Sequence, residues 1–136
     1  MKAAIIKEHG NLDVLNVLQI DEPSCPSDMV KVNIKASSIN HLDIWVRQGI
    51  PGIKIPLPLI LGSDGAGIIV EVGSEVEFFN VGDKVVIQPG VYDPRCRHSK
   101  HGDENFSSSY GILGETQSGV QCDYVVLNPE NIYPMS

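Results

Sequence analysis

The sequence predicts a mainly β domain, a small barrel or sandwich with short helical segments and one long polar loop. Three observations carry this. Turn-forming clusters recur every eight to twelve residues or so, roughly the spacing of short strands in an all-β domain. Val30, Val32, Ile34 and Ala36 alternate with Lys31, Asn33 and Lys35, the period-two signature of a strand. The glycine-dense stretch Leu61-Gly62-Ser63-Asp64-Gly65-Ala66-Gly67 then runs straight into Ile68-Ile69-Val70-Glu71-Val72, a tight corner feeding a β-branched strand.

Composition bounds the rest. A chain of 136 residues with 42% hydrophobic content is long enough for one domain with a sizeable core and too short for two of ordinary size. Ten Lys and Arg against 17 Asp and Glu give a formal net charge of −7, which offers no basic stripe to nucleic acid or to an anionic membrane. No apolar run approaches the roughly 20 residues of a spanning helix, so a soluble, cytoplasmic protein is expected. Cys25, Cys96 and Cys122 are odd in number and widely spaced. They read as neither a disulfide framework nor a C-x-x-C motif, and fit a reducing compartment.

In chain order, residues 2–7 and 14–20 are short apolar runs separated by His9-Gly10, which reads as strand, turn, strand. The alternating run 30–36 follows, with its lysines expected on a solvated face. At Ser37-Ser38-Ile39-Asn40 the period changes. Asn40 suits an N-cap, Asp43 suits the first turn and Gly49 a stop, giving a helix of about two turns. Trp45 lies on it, either as core filling or as a cleft residue. Three prolines and Gly52 make residues 50–58 a connecting loop. Beyond the glycine corner, Ile68, Val70 and Val72 alternate with Ile69 and Glu71, turns flank Phe78-Phe79, and residues 84–87 form another strand. Residues 89–109 carry almost no apolar side chain, an excursion longer than the roughly 12 to 15 residues at which loops are usually functional or disordered. A last strand is expected over 120–127, with Cys122, Tyr124 and Val126 on one face.

The polar pair Ser63-Asp64 sits on the corner, where a rigid strand can present side chains to a ligand; a plain barrel corner is the alternative. The glycines read G-x-x-G-x-G and lead into a strand, so no dinucleotide phosphate cradle is implied.

The order Asn40-His41-Leu42-Asp43-x-Trp45-x-Arg47-x-Gly49, then Leu61 to Gly67 with Val72-Gly73, Gly82-Asp83-Lys84-Val85 and Tyr110-Gly111-Ile112-Leu113-Gly114-Glu115, resembles the N-terminal domain of the medium-chain dehydrogenase/reductase family. That family includes zinc-type alcohol dehydrogenases and quinone oxidoreductases, and the resemblance covers nearly the whole chain. It implies a GroES-like, partly open β-barrel over residues 1–136 that forms one wall of an active-site cleft. In the family a doubly wound domain follows and carries NADP or NAD. This sequence has no β-α-β pattern and no G-x-G-x-x-G, so it is expected to be a fragment or truncated part of a longer enzyme, inactive alone.

Residue by residue, the resemblance implies a site with altered chemistry. In zinc-dependent members the position of Asn40 is a cysteine and that of Ser63 a histidine, and neither Asn nor Ser is a good zinc ligand. Asn40 resembles the zinc-independent quinone oxidoreductases, with Asn40 and His41 on the cofactor side and Trp45 lining the substrate cleft. The candidate catalytic set is Asn40, Trp45, Ser63 and Asp64. In members with a structural zinc, four lobe cysteines fall on Asp93, Cys96, Ser99 and Ser107 of this chain, so one thiol survives. Cys96, His98 and His101, with Asp93 or Asp103, are weak metal candidates, set against the solvated role usual for loop histidines. Zinc is not expected. The expected function is an NAD(P)H-dependent reduction of quinones, enones or related small carbonyl substrates. A zinc-type alcohol dehydrogenase with altered ligands is one alternative, and a non-enzymatic interaction or chaperonin-like barrel is another. An open sheet edge would also favour a homo-oligomer.

Overall fold

The computed structural model describes residues 1–93, 95–97 and 99–135. Along the chain the elements are β1 (Lys2–Ile6), β2 (Leu15–Gln19), β3 (Val30–Ser37), α1 (His41–Gln48), β4 (Leu59–Ile60), β5 (Gly65–Val72), β6 (Lys84–Ile87), β7 (Gly90–Val91), β8 (Gly111–Ile112), β9 (Tyr124–Leu127) and β10 (Ile132–Pro134). A five-stranded sheet runs β10-β6-β5-β3-β9 and a three-stranded sheet runs β2-β1-β4, while β7 and β8 form a small ribbon. The neighbours named here pair antiparallel. The two larger sheets are stitched together before β9. Ala4 donates to Gln121 O at 2.8 Å, Asp123 donates to Lys2 O at 3.0 Å, and Ala3 bridges Cys122. The result is the expected partly open barrel.

Val30, Val32, Ile69, Val85, Leu127 and Ile132 fill the main core. A second cluster, Ile6, Val46, Ile55, Leu59 and Leu61, lies where α1 meets β1 and β4. An eight-residue helix is marginal by itself, so α1 depends on tertiary packing. Full burial of Val46 supplies part of it, on the order of 1.5–3 kcal/mol for such a side chain.

Several expectations change. On β5 the core side chain is Ile69, and Val70 is 40% exposed, because period two identifies two faces without saying which is inner. The β3–β5 register also shifts between Lys31 and Val32 and between Ile34 and Ala36, so the alternation is not carried unbroken. Lys31 is only 7% exposed, not on a wet face. Its ammonium pairs with Glu22, lies 4.0 Å from Glu71, and sits 5.4 Å from the centre of the Tyr124 ring. Trp45 is 53% exposed and fills no core. The last strand begins at Tyr124, later than the expected residue 120, and its buried side chains are Val125 and Leu127, on the face opposite to Tyr124 and Val126. The excursion is not structureless, since β7 and short 3-10 turns at Ser99–His101 and Glu104–Phe106 order it. No helix among the described residues is long and apolar enough to cross a membrane.

Candidate active site

The start of α1 and the glycine corner meet through a buried carboxylate. Asn40 caps the helix in extended conformation, with φ −107° and ψ 160°. Asp43, three residues on and 5% exposed, turns back so that its Oδ2 accepts the Asn40 backbone N–H at 2.7 Å. Its Oδ1 accepts the backbone N–H of Gly62 at 3.2 Å. One side chain therefore caps the helix and ties it to the corner.

The corner needs its glycine. Gly62 takes φ +97°, and a Cβ there would lie 2.6 Å from Gln121 Cγ. Residues 113–121, with Leu113 and Val120 buried in the main core, clamp this bend. Gly119 donates to Ile60 O at 2.8 Å, Val120 to Gly62 O at 2.9 Å and Gln121 to Leu61 O at 2.9 Å. Ser63, 4% exposed, donates its hydroxyl hydrogen to Leu113 O at 2.8 Å. Its side chain therefore anchors the corner to the clamp, away from solvent.

Asp64 is exposed on the other side of the bend. Its Oδ2 accepts from Asn40 Nδ2 at 2.6 Å and from Ser38 Oγ at 3.2 Å. His41 and Trp45, four residues apart on one face of α1, make an edge contact with ring centroids 4.9 Å apart and planes at 62°. Of the expected residues, the fold thus brings Asn40 against Asp64 and His41 against Trp45, and turns Ser63 inward. A cavity of about 780 Å³ is lined instead by Glu75, Phe78, Tyr92, Arg95, Asn128 and Glu130 among others, and by none of these five.

In the lobe, Cys96 Sγ lies 3.0 Å from Ser99 Oγ and accepts the Ser99 backbone N–H at 3.4 Å. His101 Nδ1 stands 2.8 Å from Arg97 O. Hydrogen bonds from the Arg95 backbone and side chain hold the Asp93 carboxyl below its usual range. Ser107 Oγ is 2.9 Å from Ser109 Oγ. His98 lies outside the described residues. Among the described residues no three His, Cys, Asp or Glu side chains converge as a metal-binding group.

Sequence reasoning gave Asp43 its place at the helix start but not its bond to Gly62. It missed the clamp, whose sole local signal is the pair Gly114 and Gly119. A Cβ on Gly119 would lie 1.9 Å from Gly62 O.

A partly open antiparallel barrel, with a capped helix bolted to a glycine corner, is the architecture of a GroES-like domain. Residues 26–136 match the alcohol dehydrogenase GroES-like domain model, and the chain belongs to that family. A crystal structure of an NAD-dependent alcohol dehydrogenase superposes with TM-score 0.93 at 42% identity, over 98% of this chain and 39% of the other. The NAD-dependent alcohol dehydrogenase of Sulfolobus acidocaldarius is 32% identical over 132 residues, which is 93% of this chain and 38% of that protein. A zinc-type alcohol dehydrogenase-like protein of Schizosaccharomyces pombe is 32% identical over 126 residues, 88% of this chain and 34% of its own. The chain therefore spans between a third and two fifths of the length of these curated relatives.

Proposed function

We propose that this chain supplies the cleft-forming domain of a nicotinamide-dependent oxidoreductase that acts on quinones, enones or related carbonyl compounds without a catalytic zinc ion. The observation that carries the reading is the Asn40–Asp64 hydrogen bond. It occupies the place where zinc-dependent relatives are expected to carry a ligand cysteine. An amide nitrogen committed to a carboxylate is no zinc ligand, and the Ser63 hydroxyl is spent on Leu113 O. The donor set of this chain does not fit the metal at that position. In the lobe, Asp93, Ser99 and Ser107 stand at three of the four places where structural-zinc members carry cysteines, which leaves one thiol, Cys96, for a tetrahedral set.

The nicotinamide nucleotide, when bound, supplies the hydride. This chain's part is positioning. Asn40, held at its backbone by Asp43 and at its side chain by Asp64, offers a hydrogen-bonding group at a fixed place. The exposed Trp45, braced by His41, offers a flat apolar face to a conjugated substrate.

Elemental analysis of the purified chain tests this, with expected zinc well below one per chain and a circular dichroism spectrum unchanged by chelator. About one zinc per chain, with unfolding on chelation, overturns it. It would then favour the zinc-dependent reading, which the name of the Schizosaccharomyces pombe relative supports.

A further inference from the structure

The geometry points to Asp64 as a positioning residue that fixes the orientation of the Asn40 side-chain amide; its functional meaning rests on the cleft reading above. One carboxylate oxygen, Asp64 Oδ2, gathers both side-chain donors of the loop between β3 and α1: Asn40 Nδ2 at 2.6 Å and Ser38 Oγ at 3.2 Å. The backbone pairs at the same place, Ser38 N–H donating to Asp64 O at 3.2 Å. Asp64 itself is held from below, because its neighbour Ser63 is pinned to Leu113 and Gly62 to Asp43.

A carboxylate only accepts, so the end of the Asn40 amide that faces it carries the hydrogens. A flipped amide would set two oxygens face to face at that short distance. Asp64 thereby removes the twofold ambiguity of an asparagine side chain. With one hydrogen committed, Nδ2 keeps one to give, and that hydrogen suits an acceptor such as a carbonyl oxygen. The capping box of α1 turns the amide oxygen toward the Asp43 backbone N–H and leaves the nitrogen end to Asp64.

The test is nuclear magnetic resonance on the isotope-labelled 136-residue chain, without nucleotide, metal or substrate. The Asn40 side-chain hydrogens are expected as a widely separated pair, one exchanging with water about tenfold more slowly than in exposed asparagines. Asp64→Ala collapses that pair while the backbone resonances of α1 hold. Asp64→Asn, which keeps an acceptor oxygen at the same reach, restores the separation, and Ser38→Ala leaves it in place. An Asn40 pair unchanged by Asp64→Ala, no rescue by Asp64→Asn, or an equal effect of Ser38→Ala overturns the assignment. Loss of backbone dispersion in both Asp64 variants also overturns it and makes Asp64 a folding residue. Because the readout uses no metal or turnover, it stands or falls separately from the zinc-free reading.

Discussion

Asp43 Oδ1 accepts the backbone N–H of Gly62 at 3.2 Å, joining a helix start to a turn 19 residues further along the chain. The same carboxylate holds Asn40 N–H through its other oxygen at 2.7 Å. Two backbone donors thus depend on one buried side chain. Asp43→Ala leaves both without this acceptor and is expected to cost about 2–4 kcal/mol. Asp43→Asn keeps one accepting oxygen and is expected to lose less. Urea unfolding of the three proteins checks the order, and equal stability of Asp43→Ala and the parent would refute it.

Gly119→Ala is expected to be worse. The added methyl would meet Gly62 O at 1.9 Å and Leu61 O at 2.7 Å, both backbone atoms that no rotamer change can move. A loss of about 3 kcal/mol or more is expected. Gly102→Ala is the comparison, with φ +81° but nothing within 4 Å of its Cβ. Backbone strain alone costs it about 1–2 kcal/mol. Similar denaturation midpoints for the two variants would count against the clamp.

Burial pushes the Cys122 thiol from its ordinary 9.0 up to about 11. The unfolded chain releases this proton near pH 9, while the folded chain holds it until about pH 11. Unfolding then releases a proton, so stability falls as pH rises through that window, by up to about 3 kcal/mol. Cys122→Ala removes this component. Urea midpoints at pH 8 and pH 11 are expected to drop more in the parent than in the variant, and equal drops would contradict the burial argument.

Nicotinamide nucleotide alone is expected not to bind this chain saturably. A doubly wound nucleotide site needs parallel strands with a helix N-terminus at the phosphates, whereas the strand pairs described here are antiparallel. Fluorescence titration with NADH and NADPH checks this, and a submillimolar dissociation constant for either would defeat it.

Much of this domain is local in origin and so was legible in the sequence. Asn40, Asp43 and Gly49 set the ends of α1 because capping is settled within one turn of chain. The alternation at residues 30–36 and the glycine corner marked β3 and the start of β5 for the same reason. Family motifs pointed to Asn40, Ser63 and Asp64, and the fold sets Asn40 against Asp64 while turning Ser63 to Leu113. What the sequence left open is what long-range contact decides. Alternation cannot say which face of β5 or β9 is inner, since that depends on what packs against the sheet. Lys31 reads as a surface residue until Glu22 and Tyr124 close over it. Ser63 and Asp64 are neighbours in the chain, yet one hydroxyl turns in to Leu113 and one carboxylate turns out to Asn40. Partners 50 and 24 residues away make that choice, by offering a buried carbonyl on one side of the bend and an amide donor on the other.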